Sequence, residues 1–129
     1  MTPLNILIVD DSAVVAQILH NTLTKLGHKV VATAKNGVEA VSAYSACMPD
    51  CVFMDVTMPI MDGITATGKI VADFPDARII IVTSHADKDV VMNAQKAGAK
   101  GYILKPFQPE TIRYTLQNLV QANLGETHP

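Results

Sequence analysis

Three aspartates, Asp10, Asp11 and Asp55, are the residues whose type and position in this sequence are best suited to chemistry. Asp10 and Asp11 directly follow the apolar run Asn5–Val9, and Asp55 directly follows the run Cys51–Met54. Short, unbroken apolar runs between turn formers are typical of strands that are buried on both faces of a parallel sheet. Ligand sites in such sheets form at the carboxyl ends of the strands, so we expect the three carboxylates to share one crevice.

A crevice with three carboxylates requires a cation. One like-charged pair at ~4 Å and an effective dielectric constant of ~20 costs about 4 kcal/mol. That cost is large beside the roughly 5–15 kcal/mol that stabilises a typical domain. A hard divalent ion that keeps some of its waters, Mg²⁺ above all, suits a few carboxylates that also meet a phosphate.

Two further strand ends bring a hydroxyl and a positive charge to the same edge. The apolar run Arg78–Val82 stops at Thr83, and the run Gly101–Leu104 stops at Lys105. A lysine can pair with a phosphoryl oxygen, and an aspartate can be the nucleophile of a phosphoryl transfer. Asp55 is the best-placed nucleophile, because it ends the predicted central strand. Each residue alone could be a cap, turn or surface residue, but their coincidence at separate strand ends favours a site.

Five strand patterns alternate with five helical patterns along the chain. The predicted strands are Asn5–Val9, Lys29–Ala34, Cys51–Met54, Arg78–Val82 and Gly101–Leu104. The predicted helices cover residues 13–26, 38–47, 64–73, 88–97 and 109–124. Short links between alternating elements indicate βαβ units with right-handed crossovers. The fold class that fits is α/β, a flavodoxin-like (βα)5 doubly wound parallel sheet with strand order 2-1-3-4-5 and helices on both faces.

Composition limits the classes of partner. The chain has 129 residues, a net charge of −2 and 49% hydrophobic residues, which suits one domain and gives no reason to expect nucleic acid or a membrane as partner. Neither a leader nor a run long enough to span a bilayer is evident, so we expect a cytoplasmic protein. Cys47 and Cys51 are expected to be buried thiols rather than a disulfide or zinc site.

Together the motifs at the predicted strand ends resemble those of the receiver domain of bacterial response regulators. The motifs are Asp10-Asp11, Asp55 followed by Met58-Pro59-x-x-Asp62-Gly63, Thr83-Ser84, and Lys105-Pro106-Phe107. The resemblance covers residues 4–124, leaving 125–129 as a short tail and no output domain. Single-domain chemotaxis regulators are the members that the chain resembles most.

The resemblance implies a phosphoacceptor of two-component signalling rather than an enzyme, catalysing only its own phosphorylation and dephosphorylation. Asp55 would accept the phosphoryl group from a histidine kinase or a histidine phosphotransfer protein. Mg²⁺, for which Mn²⁺ can substitute, would be held by Asp11, Asp55 and the backbone carbonyl of Thr57, with Asp10 acting largely through water. The sequence lacks a Gly-rich nucleotide loop, which agrees with a donor protein or a small acyl phosphate as the source of phosphate.

The resemblance also implies a switch. Thr83 and Lys105 would bind the phosphoryl group, Tyr102 would follow Thr83 inward, and the Lys105–Pro106 bond would be cis. The output would be a changed protein-binding surface over the fourth helix, the fifth strand and the fifth helix. That face includes Lys96, Lys100, Tyr102, Arg113, Tyr114 and Gln117.

Two positions that vary within the family bear on the lifetime of the phosphoryl group. Thr57 stands two residues after Asp55, where asparagine is frequent in chemotaxis members. His85 stands two residues after Thr83, where glutamate is frequent. The hypothesis is that His85, at the mouth of the site, modulates the approach of attacking water. A solvated loop histidine without a role is the plain alternative.

Three other functions compete with this interpretation. A flavin-binding carrier of the same topology would need a phosphate loop after the first strand, where Asp10, Asp11 and Ser12 would repel the flavin phosphate. An aspartate-dependent phosphohydrolase would need a second aspartate at the position of Thr57. A receiver cut from a larger DNA-binding or enzymatic response regulator stays open as an alternative.

Overall fold

The computed structural model describes residues 2–85 and 87–126, and for residues 121–126 it describes the helix alone. The strands are β1 (Asn5–Val9), β2 (Lys29–Ala34), β3 (Cys51–Asp55), β4 (Ile79–Thr83) and β5 (Gly101–Leu104). The helices are α1 (Ala13–Lys25), α2 (Gly37–Cys47), α3 (Gly63–Asp73), α4 (Lys88–Ala97) and α5 (Pro109–Glu126). The predicted alternation of strand and helix is confirmed.

The strands form one parallel sheet in the order β2-β1-β3-β4-β5, as predicted. β3 is central, because it pairs with β1 on one side and with β4 on the other. Within this register Val9 lies opposite Met54, and Asp55 lies opposite Val82. The chain after β1 and the end of β3 therefore meet at the same edge of the sheet.

Alternate side chains of the strands enter two different cores, which is what strands covered on both faces require. The core beneath α2, α3 and α4 contains the buried side chains Leu7, Val9, Ala40, Tyr44, Val52, Met54, Ala66, Ile70, Ile79, Ile81 and Ala94. The core beneath α1 and α5 contains Ile6, Ile8, Leu19, Leu23, Phe53, Ile80, Val82, Ile103, Ile112 and Leu116. Both cores hold the sheet rigidly, so the strand ends are fixed in position.

Polar caps start two helices one residue earlier than predicted. The Asn36 side chain accepts a hydrogen bond from the Glu39 N–H, and α2 begins at Gly37. Asp62 accepts from the Thr65 N–H in the same way, and α3 begins at the residue after Asp62. Such caps satisfy N–H groups that have no partner within the helix.

Other boundaries also move by a residue or two. β4 runs from Ile79 to Thr83, one residue later than the apolar run predicted, and α1 ends at Lys25 rather than Leu26. α5 continues to Glu126, two residues beyond the predicted end at Leu124. The helix thus includes the start of the predicted tail, and residues 127–129 lie outside the described residues.

The two cysteines are free thiols, as expected. Cys51 is fully buried, and burial raises the pKa of its thiol to about 12. Cys47 is only half-buried, which corrects the expectation that both would be buried. Among the described residues, no helix combines the length and the apolar character that a bilayer crossing needs.

Candidate functional site

Four strand ends place the predicted site residues at one edge of the sheet. Asp10 follows β1, Asp55 ends β3, Thr83 ends β4 and Lys105 follows β5. Carboxylate oxygens of Asp10, Asp55 and the neighbouring Asp11 all lie within 4.8 Å of one another. The acidic crevice that the sequence predicts therefore exists.

Asp55 lies at the base of this crevice, with only 7% of its surface exposed. Its Oδ1 accepts a hydrogen bond from the Val56 N–H at 2.9 Å and lies 3.4 Å from Lys105 Nζ. Burial raises the pKa of the Asp55 carboxyl, the charge of Asp10 raises it further, and Lys105 acts in the opposite direction. Burial and the charge of Asp10 therefore disfavour the ionised carboxylate, and perturbed carboxyl groups of this kind are typical of functional sites.

Lys105 is the counter-charge that the crevice already contains. Its Nζ donates to Asp10 Oδ2 at 2.9 Å, while Asp10 Oδ1 accepts from the Ser12 N–H at 2.9 Å. Burial alone would lower the pKa of Lys105, but the hydrogen bond and charge of Asp10 and the charge of Asp55 outweigh it and raise the pKa. Lys105 precedes a cis peptide bond to Pro106, as the resemblance implies.

The hydroxyl of Thr83 is bound to the loop that follows β4. It accepts a hydrogen bond from the His85 N–H at 3.0 Å, and it donates to the His85 carbonyl at 3.3 Å. Tyr102 lies on the edge strand β5 with 50% of its surface exposed. The structure thus groups Asp10, Asp11 and Asp55 with Lys105, whereas Thr83 contacts the loop and Tyr102 faces solvent.

The exposed residue Thr57 lies in the loop between β3 and α3, two residues after Asp55. The base of this loop is closed by a hydrogen bond from the Gly63 N–H to the Val56 carbonyl at 2.8 Å. The role of the Thr57 carbonyl as a metal ligand stays a prediction.

The donor set of the crevice fits a hard divalent cation. Three carboxylates face one lysine, so the negative charge is only partly balanced. Asp10 and Asp55 are buried, while Asp11 is exposed on the solvent side, where an ion could keep some of its waters. Oxygen ligands with residual water are what Mg²⁺ prefers.

Comparison with known protein families decides the class of this chain. Residues 6–117 match the family model described as the response regulator receiver domain. The chain belongs to this family. Membership places the receiver in two-component signalling and decides against the flavin carrier and the phosphohydrolase.

Relatives of the receiver include chemotaxis proteins. It is 45% identical to chemotaxis protein CheY of Thermotoga maritima over 107 residues, which cover 83% of this chain and 89% of that protein. It is 46% identical to CheY of Bacillus subtilis, with the same two coverages. Among solved structures, the CheX–CheY–BeF3–Mg complex of Borrelia burgdorferi aligns with a TM-score of 0.88 and 33% identity, over 92% of this chain and 90% of that chain.

Two glycines of the receiver pack closely against the end of β3 and the loop that follows it, and sequence reasoning did not predict these contacts. A Cβ on Gly63 would lie 1.8 Å from the carbonyl oxygen of Asp55, and a Cβ on Gly37 would lie 2.6 Å from the carbonyl oxygen of Met61. The signal in the sequence is a glycine placed directly after a capping residue, Asp62 or Asn36. That pattern predicts a helix start, but it does not reveal what the glycine packs against.

Proposed function

We propose that this receiver accepts a phosphoryl group on Asp55 from the phosphohistidine of a histidine kinase or a histidine phosphotransfer protein. The observation that carries the proposal is the cluster of Asp10, Asp11 and Asp55, in which the buried carboxylates Asp10 and Asp55 are paired with Lys105. Bringing these like charges together lowers the stability of the folded protein, so the cluster favours a chemical role for these residues over a purely structural one. We also propose that this reaction takes place in the cytoplasm.

A divalent cation completes the site. Mg²⁺, or Mn²⁺ in its place, would be held by Asp11, Asp55 and the Thr57 carbonyl, with Asp10 acting mainly through water. When bound, the ion supplies positive charge to the phosphoryl oxygens as negative charge develops on them.

The residues of the chain carry out the transfer itself. One carboxylate oxygen of Asp55 forms an O–P bond as the N–P bond to the donor imidazole breaks, and the electron pair of that bond returns to the imidazole nitrogen. Lys105, now shared between Asp10 and Asp55, reorients its flexible side chain to pair with a phosphoryl oxygen. Neutralising the phosphoryl charge in this way lowers the barrier to transfer.

The phosphoryl group then changes the surface that a target protein contacts. The Thr83 hydroxyl exchanges the His85 backbone for a phosphoryl oxygen, and the exposed ring of Tyr102 moves inward behind it. The affected surface spans α4, β5 and α5, and a chemotaxis-type target is the favoured partner. The phosphoryl group can shift the equilibrium toward the active surface only by the difference between its interaction free energies with the active and inactive states.

The central test is the formation of an adduct. Incubating the protein with Mg²⁺ and a small acyl phosphate is expected to add the mass of one phosphoryl group, located by peptide mapping to the peptide with Asp55. Chelation of divalent ions before incubation is expected to suppress the adduct by at least about a hundredfold, because the ion offsets charge in the transition state. An adduct on another residue, or one that forms equally well after chelation, would contradict the proposal.

His85 is proposed to tune the lifetime of the adduct. Its side chain is exposed beside the site, while its backbone N–H and carbonyl hold Thr83. Replacement of the side chain leaves both backbone groups in place, so His85→Ala is expected to speed dephosphorylation a few-fold by admitting water, a barrier change under about 1 kcal/mol. His85→Glu is expected to change the rate as well. The idea is abandoned if both variants lose phosphate at the rate of the parent protein, measured by intact mass over time.

A further inference from the structure

The loop Val56–Asp62 between β3 and α3 is fastened at two points. At its base the Gly63 N–H donates to the Val56 carbonyl at 2.8 Å. Near its far end the Gly37 N–H, at the start of α2, donates to the Met61 carbonyl at 2.9 Å. The second bond joins two segments that are distant in sequence, so it ties the loop to a neighbouring helix.

The middle of the same loop is strained. The Met61 N–H donates to the Pro59 carbonyl at 2.8 Å, which closes a γ-turn, and Ile60 at its centre has φ of 72°. A β-branched residue rarely adopts this left-handed conformation, and it persists only where the surroundings hold it. The Ile60 side chain is 82% exposed and contributes little packing. The Gly37 bond to Met61 is therefore one of the contacts that hold the turn.

The start of α2 is well placed to act as this support. Asn36 is buried, its side chain caps the helix, and the Glu39 carboxylate accepts from the Lys35 N–H at 3.1 Å and from Asn36 Nδ2 at 3.2 Å. These reciprocal bonds form a capping arrangement that fixes the helix start. Gly37 follows directly, so its N–H is presented to the loop from a rigid base.

Only a glycine allows this approach. A Cβ at position 37 would lie 2.6 Å from the Met61 carbonyl oxygen, 2.7 Å from Met61 Cγ and 2.8 Å from Met61 Cβ. Contacts under 3.0 Å require something to move, and the carbonyl oxygen is backbone. A larger residue at position 37 would therefore displace the loop.

We infer that Gly37 is a positioning residue for the metal site, holding the β3–α3 loop so that the Thr57 carbonyl faces Asp11 and Asp55. Gly37 contacts neither the ion nor the phosphoryl group and acts through Met61. This inference rests on the proposed function, because the position of the loop affects function only if the site binds a metal ion. Residues that orient the ligands of a metal typically change its affinity by about 10–100-fold when they are altered.

The test compares two glycine-to-alanine variants. Gly37→Ala introduces the clash with Met61, whereas Gly68→Ala makes the same change inside α3, where the nearest atom to a new Cβ is 4.0 Å away. Mn²⁺ affinity is measured for both from the electron paramagnetic resonance signal of free Mn²⁺, beside the urea midpoint of each. We expect Gly37→Ala to bind Mn²⁺ about tenfold more weakly, and Gly68→Ala to bind like the parent protein. A merely structural role would shift the midpoint of Gly37→Ala without weakening Mn²⁺ binding.

The outcomes separate the two proposals. Equal Mn²⁺ affinity in Gly37→Ala and the parent protein would overturn the inference while the proposed function stands. A parent protein that neither binds Mn²⁺ nor forms the Asp55 adduct would overturn the proposed function, and the inference with it.

A second measurement on the parent protein covers the case in which Gly37→Ala does not fold. If the Gly37 bond favours metal binding, linkage requires that metal binding favour the bond. Hydrogen exchange of the Gly37 N–H, followed by NMR, is therefore expected to slow several-fold at saturating Mg²⁺. Exchange that Mg²⁺ leaves unchanged would overturn the inference.

Discussion

Asp55→Asn is expected to abolish the phosphoryl adduct and, at the same time, to stabilise the metal-free protein by about 1–2 kcal/mol. An amide nitrogen or oxygen is not a nucleophile for this transfer, so the first effect is a complete loss. The second effect arises because the ionised Asp55 is buried beside Asp10, which raises the pKa of its carboxyl. Asparagine has nearly the same shape and carries no charge.

The substitution leaves the surrounding bonds largely intact. The Oδ1 of asparagine can still accept the Val56 N–H, which lies 2.9 Å from Asp55 Oδ1. Lys105 loses the attraction of the Asp55 charge, which acts over 3.4 Å, but keeps the 2.9 Å ion pair with Asp10. The interactions that the substitution removes therefore contribute less free energy than the repulsion and desolvation that it relieves.

The pH dependence has a definite sign. A carboxyl whose pKa is raised on folding favours the folded state when protonated, so ionisation of Asp55 destabilises the fold as pH rises through its folded pKa. The stability gain of Asp55→Asn is thus largest above the folded pKa, and it declines as pH falls through the folded pKa toward the unfolded value of 3.8. Mg²⁺ is expected to reduce the gain too, because it stabilises only a parent site that binds it.

Urea unfolding of the parent protein and Asp55→Asn, at pH 7 and pH 4.5, with and without Mg²⁺, measures both effects. Asp73→Asn is the matched control, because it makes the same chemical change at an exposed position at the end of α3. Persistence of the adduct in Asp55→Asn, or a variant less stable than the metal-free parent at pH 7, would contradict this account.

Gly63→Ala is expected to destabilise the fold by about 3 kcal/mol or more. A Cβ at this position would lie 1.8 Å from the Asp55 carbonyl oxygen, 2.8 Å from the Asp55 carbonyl carbon and 2.9 Å from Met54 Cγ. The obstacles include the backbone of the central strand, which two cores hold in place. The clash can be relieved only by moving α3 or the end of β3, and both moves break packing.

The matched control variant is expected to change the stability of the protein in the opposite direction. Gly68→Ala lies within α3, has no close neighbour, and is expected to stabilise the protein by about 0.5–1 kcal/mol through helix propensity. Free energies from urea unfolding of both variants check the pair. A free energy of unfolding for Gly63→Ala within about 0.5 kcal/mol of the parent value would contradict this prediction, because it would show that β3 and α3 can move apart at little cost in stability.

The fold could be predicted largely from local pattern. Apolar runs such as Asn5–Val9 and Arg78–Val82 indicate buried parallel strands, and the helical patterns between the runs indicate the helices. Strand boundaries moved by one residue, because the ends of a strand depend on which of its residues pair with the neighbouring strands. Thr83 belongs to β4 since it pairs with Leu104, which the apolar run could not indicate.

The acidic part of the site was also determined by the sequence alone. Parallel strands deliver their carboxyl ends to one edge, so the positions of Asp10, Asp55 and Lys105 after three apolar runs were enough to place them together. Their types then indicated a cation and a phosphoryl group. Pattern and topology suffice here because the distance between strand ends is set by the regular spacing of the sheet.

The tertiary structure alone decided the contacts that depend on how irregular segments meet. The Thr83 hydroxyl contacts the His85 backbone, and the N–H of Gly37 reaches the Met61 carbonyl. Loops have no repeating geometry, so no spacing in the sequence encodes which carbonyl lies against which glycine. The sequence therefore determined where the acidic cluster and Lys105 lie, and the packing of α2 and α3 against the β3–α3 loop decided how that loop is held.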